Sequence, residues 1–178
     1  MNKNRILLIS FSILLILAIA LIFKNIGSNV ADSYYYNINT ERYNLLLNTS
    51  INTLKQFKKS IEDKDSINFD SFNVQLRESM INLNETGLAI DCFEAGLNRS
   101  DNKVVYGLNP IESHIVKYSL ILENYKDLEI FIIELDAIID DLILIQDAQI
   151  FLENNNNEIK YRWDLVKDKL HYKPEFGL

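Results

Sequence analysis

Apolar residues fall along this chain in two regimes. From Ile6 to Phe23 they form one run in which Ser10 and Ser12 are the only hydroxyl-bearing side chains, whereas beyond residue 30 they recur at every third or fourth position. The second spacing is that of helices with one buried face. A first block through Tyr36, Tyr43, Leu47, Ile51, Leu54 and Ile61 predicts a helix over about 32–62, ended at Lys64 and Asp65. A second block through Phe69, Phe72, Leu76, Met80, Leu83, Ile90, Phe93 and Leu97 predicts a helix capped by Asp65 or Ser66. Gly87 stands in it where a large residue is expected, so it marks either a close approach of a neighbouring helix or a kink. Residues 98–103 read as a surface loop and residues 104–106 as a packed connector.

Asn109, Pro110 and Glu112 have the spacing of a capping box with proline at the first helical position. Ile111, Ile115, Tyr118, Leu122, Tyr125, Ile132, Leu135, Ile139 and Leu142 follow at helical spacing, predicting one unbroken helix to about Leu152, roughly 60 Å long. The asparagines at 154–157 favour a turn. After them Ile159, Trp163, Val166 and Leu170 mark a short helix that Pro174 ends. The expected fold is all-α: an N-terminal transmembrane helix, then an antiparallel up-down bundle of three long helices and one short C-terminal helix.

The run from Ile6 to Phe23 covers roughly 27 Å as a helix, about the thickness of a bilayer's hydrocarbon core. It is longer than the apolar core of a cleaved secretory signal, so an uncleaved anchor in contact with membrane lipid is expected. Lys3 and Arg5 precede it and only Lys24 follows closely, which places the N-terminus in the cytoplasm. Residues 1–27 are then the cytoplasmic tip and anchor, and residues 28–178 an extracytoplasmic bundle in the cell membrane's outer space. With Lys3, Arg5 and Lys24 set aside, 15 of the 18 bases face all 25 acids, so the body carries about −10. That charge argues against nucleic acid as a partner.

Asp127, Glu129, Glu134, Asp136, Asp140, Asp141 and Asp147 fall in a stretch without Lys or Arg, and their spacing gathers them into two stripes on one helix. They form a candidate acidic surface. A divalent cation or a basic partner is one reading, and a solvated face is the plainer one, because no calcium-loop spacing accompanies them. His114, in the first turns of its helix, and His171, in the tail, both read as surface residues, and neither belongs to a Glu-x-x-His motif of a di-iron bundle. The single cysteine, Cys92, reads as a buried thiol. Hydrolase, phosphate-loop and zinc motifs are missing from the sequence, and no catalytic, cofactor-binding or metal residue is assigned.

In plan, an anchor followed by long antiparallel helices, the chain is similar to LemA-type proteins and to the four-helix sensory modules of chemoreceptors. The likeness is one of architecture. The Arg-rich segment of LemA-type proteins is missing from the first soluble helix, and a chemoreceptor-type sensor should re-enter the membrane. The abundance of Asn, Ile and Lys fits an AT-rich bacterial genome. Two functions remain: an interaction or structural module that contacts another protein without catalysis, or a ligand- or cation-sensing or transport-accessory module that works through a partner protein. An exposed apolar patch would favour the first, and an enclosed pocket the second.

Overall fold

A chain whose apolar positions repeat at helical spacing buries them by laying helices side by side, and the computed structural model has this form. It describes residues 3–63, 68–100, 107–152 and 156–174, except for the side chains of 3–10, 25–33, 99 and 100. Among the described residues there are five α-helices: α1 Lys3–Glu62, α2 Phe69–Ser100, α3 Asn109–Glu123, α4 Leu128–Asp147 and α5 Asn156–Val166, the last followed by a 3-10 turn, Lys167–Lys169. No strand occurs among the described residues.

Partner residues show how the helices run. Along α1 from Asn39 to Ser50, Thr53 and Ser60, the hydrogen-bonded residues on α2 descend from Cys92 to Thr86, Asn82 and Gln75, so the two helices are antiparallel. The pairs Asn48–Gln146 and Lys58–Asp136 set α4 antiparallel to α1. Tyr118–Asp141 and Tyr125–Phe131 do the same for α3 and α4. Helices α1 to α4 therefore make an up-down bundle closed by α4 against α1. Tyr43, Leu47, Ser50, Leu54, Phe57 and Ile61 recur at intervals of three and four on α1, and all are buried.

The third expected helix is two. Helix α3 stops at Glu123 because Asn124 turns on its own helix: its N–H bonds the carbonyls of Leu120 and Ile121, and its side-chain amide donates to the Leu120 carbonyl at 2.7 Å. Asp127 then opens α4 in extended conformation, its carboxylate accepting from the Ile130 N–H at 2.8 Å. Between them Tyr125 packs on Phe131 and Phe72, with ring centroids 4.8 and 5.5 Å away. This reversal supplies the fourth member of the bundle.

Helix α4 ends at Asp147, short of the expected Leu152, where Gln149 takes a left-handed φ of 49°. The turn drives Ile150 and Phe151 into the core. Phe151 stacks on Phe93 at 4.4 Å and meets Tyr43 edge-on at 4.7 Å, while the Tyr36 hydroxyl donates to its carbonyl at 3.0 Å. Burial of an aromatic ring outweighs one more turn of helix.

The capping box at α3 does not form. Leu108, fully buried, is the cap residue, and its carbonyl accepts from Ile111 and Glu112. Asn109 is thereby inside the helix. Gly87 lies within a continuous α2 and marks a close approach: a Cβ there would sit 2.7 Å from Val116 Cγ2 of α3. Helix α2 also runs to Ser100, through the start of the expected loop. The expected Asp65 or Ser66 cap and the connector at 104–106 lie outside the described residues; Asn68 accepts from the Asp70 N–H at the start of α2.

The backbone of α1 is helical from the apolar run through Gly27 and Ser28 into the bundle. Among the described residues no helix is long and apolar enough to cross a membrane. The side chains of Ile6 to Ser10, which begin the expected span, lie outside the described ones.

Candidate functional site

The polar centre of the molecule is Asp141. It follows Ile138 by three residues and precedes Ile145 by four, which places it on the core face of α4, and it has no exposure. Four donors converge on its carboxylate. Tyr118 of α3 donates to Oδ2 at 3.0 Å, and beyond the 3-10 turn the His171 N–H and Nδ1 donate to Oδ1 at 2.7 and 2.9 Å. The Tyr172 N–H completes the set at 3.1 Å. A buried carboxylate persists only with such satisfaction.

These bonds assign the protons of His114. Tyr118 spends its hydrogen on Asp141, so its oxygen accepts from His114 Nε2–H at 2.9 Å. Burial holds the His114 ring near pKa 4, with the Lys117 charge adding to the depression and Asp141 opposing it. The imidazole is therefore neutral at pH 7 and its Nδ1 is a bare acceptor. That atom is buried without a partner, as is the Trp163 Nε1 donor, and the two rings lie 5.7 Å apart. The Tyr118 hydroxyl is pushed far up, first by burial and then by Asp141.

His114 is thus a core residue at 3% exposure, contrary to the surface position expected from its place near the start of α3. His171 is exposed, but it clasps Asp141. The tyrosines were silent in the sequence as site residues. The signal that existed was a carboxylate inside the apolar repeat at position 141.

The other expected acids do not form one surface with Asp141. Asp127 caps α4, Glu129, Asp140 and Asp147 are exposed, and Asp136 pairs with Lys58 of α1 at 2.5 Å. Glu134 is half-buried with Oε2 unpartnered; burial raises its pKa, Lys126 lowers it and Asp127 raises it. Among the described residues no group of three or more His, Cys, Asp and Glu is arranged to hold a metal ion.

A second acid group lies between α2 and α3. Glu112, turned away from the cap expected of it, has its carboxyl pushed up to about 7 by burial, by a hydrogen bond with Asp91 and by the charges of Asp91 and Glu94. Beside α3 lies a groove of about 910 Å³, with Pro110, Val116, Leu120 and Ile121 as its apolar lining and His114, Glu134 and Tyr172 among its polar lining. Cys92 is half-buried and free. Comparison with known protein families, curated proteins and solved structures finds no match.

Proposed function

We propose that the chain is a membrane-anchored, extracytoplasmic helical-bundle module that acts by contact with another protein and without catalysis. The observation that carries this reading is the state of Phe11 to Lys24: every one of these side chains is exposed, although all but Ser12 and Lys24 are apolar. A stretch this apolar is costly in water and stable in hydrocarbon. It belongs to the helix whose second half builds the bundle core, so the anchor and the module are one continuous helix. The exposed acids Asp127, Glu129, Asp140 and Asp147 serve in this reading as a solvated face.

The test is membrane retention of the full chain. It should stay with the membrane fraction through an alkaline wash, and replacing Leu14 and Leu17 together by Arg should release it. Release of the unaltered chain by the wash would sink the proposal. A second reading, a ligand- or cation-sensing module, is favoured by the groove beside α3, whose lining includes Glu134 with its unpartnered oxygen. Thermal unfolding with and without calcium separates the cation form of that reading: the interaction module predicts an unmoved midpoint, and a cation site a raised one.

A further inference from the structure

The outward side of α2 carries an apolar stripe that the bundle leaves uncovered. Val74, Ile81 and Leu88 are exposed to 65, 47 and 55%. Their seven-residue spacing sets them in line, each about 10.5 Å from the next. Single exposed aliphatic residues are ordinary, but a line of them seven apart supplies one of the two apolar positions of a helix–helix seam, with Arg77, Glu78, Asn84 and Glu85 flanking it. Ile81 is the centre of this line. Arg77 stands four residues before it and Glu85 four after, both exposed, and neither is in an ion pair among the described residues.

We propose that this face pairs with the same face of a second copy of the chain, antiparallel, about a twofold axis at Ile81. The axis sets Ile81 on its equivalent, Val74 on Leu88 and Arg77 on Glu85, and each unlike pair occurs twice, as an isologous contact requires. Parallel pairing would set Arg77 against Arg77 and Glu85 against Glu85, and like charges in register oppose association. The charges therefore select the antiparallel pair. As an identification of the partner this rests on the interaction-module reading, and it gives that reading a direction. Two copies paired antiparallel send their α1 segments out at opposite ends, so anchored copies join two facing membranes instead of clustering in one. Three aliphatic side chains per copy bury far less than the roughly 1,600 Å² of a standard interface, so a single pair is weak and an array of copies holds by number.

Disulfide trapping tests the geometry. In the full chain, reconstituted in lipid nanodiscs and separately in mild detergent, Cys92→Ser removes the native thiol; Asn39 bonds the backbone carbonyl of that residue, which the substitution keeps. On that background Ile81→Cys should cross-link to itself at least tenfold faster than the exposed control Asn52→Cys. Val74→Cys and Leu88→Cys should each stay monomeric alone and cross-link when mixed. Arg77→Glu should abolish trapping through Ile81→Cys, and adding Glu85→Arg should restore it. Self-linking of Val74→Cys, which a parallel pair requires, would overturn the proposal, as would Ile81→Cys trapping no faster than the control. Membrane retention is read separately by the alkaline wash, so loss of the anchor and loss of the pairing are distinguishable.

Discussion

A carboxylate as deeply buried as Asp141 is tolerated only while its oxygens remain fully hydrogen-bonded, and three of its four donors come from the segment at His171 and Tyr172. Asp141→Asn turns one acceptor into a donor facing donors. It should cost about 2–4 kcal/mol in urea unfolding and free the C-terminal segment to proteolysis; a loss below about 1 kcal/mol would show that the clasp contributes little. His114 gives the molecule a pH dependence of defined sign. Its folded pKa of about 4 lies below the ordinary 6.5, so between these values the unfolded chain binds the extra proton. Stability from this residue is fully present above about 6.5 and falls as the pH drops towards 4, by on the order of 2–3 kcal/mol. His114→Gln should flatten that slope in unfolding measured from pH 7 to pH 4. Neither residue could be placed from type alone: the spacing set Asp141 in an acidic stripe, and what offsets burying a charge there is supplied by residues 23 to 31 positions away in sequence.

At the scale of elements, α2 and α3 meet where Gly87 omits a side chain. Gly87→Ala would ordinarily gain about 1 kcal/mol of helix propensity, but its Cβ would lie 2.7 Å from a β-branched valine that cannot rotate freely away. The expected net effect is a loss of about 1–2 kcal/mol, recovered in the double variant Gly87→Ala, Val116→Ala; thermal unfolding of the three proteins checks it. Asp127→Ala removes the cap of α4 and should cost about 1 kcal/mol in the same assay. The sequence disclosed α1 and α2 through their repeats, and it disclosed Gly87 as an anomaly without saying which of two kinds. It hid the break after Glu123, because Asn124 to Asp127 contain neither Gly nor Pro and Tyr125 keeps the apolar rhythm through the turn. It also hid the end of α4: Ile150 and Phe151 fit a helix pattern equally well, and only Phe93 and Tyr43, far off in the chain, decide that they leave it. The capping box failed for a similar reason, since burial of Leu108 starts α3 one residue early.

For the whole molecule, the buried residues of α1 to α5 form a single apolar cluster, so the bundle should unfold as one unit. Trp163, the only tryptophan, sits fully buried on the shortest helix. Its fluorescence and the helical circular dichroism should therefore change at the same urea concentration; an earlier fluorescence transition would mean that α5 detaches first. The all-α architecture was legible in the apolar rhythm, whereas the closure of α4 on α1 depended on a break that the rhythm conceals. Helix α1 carries the exposed stretch 11–24 and is also the member of the bundle that pairs with both α2 and α4, so a pull along its axis does not unzip contacts one after another. It slides α1 lengthwise against both neighbours, loading Asn39–Cys92, Ser50–Thr86, Thr53–Asn82 and Lys58–Asp136 together. Bonds loaded in parallel share the tension, so the bundle resists a pull along the α1 axis more than one across it.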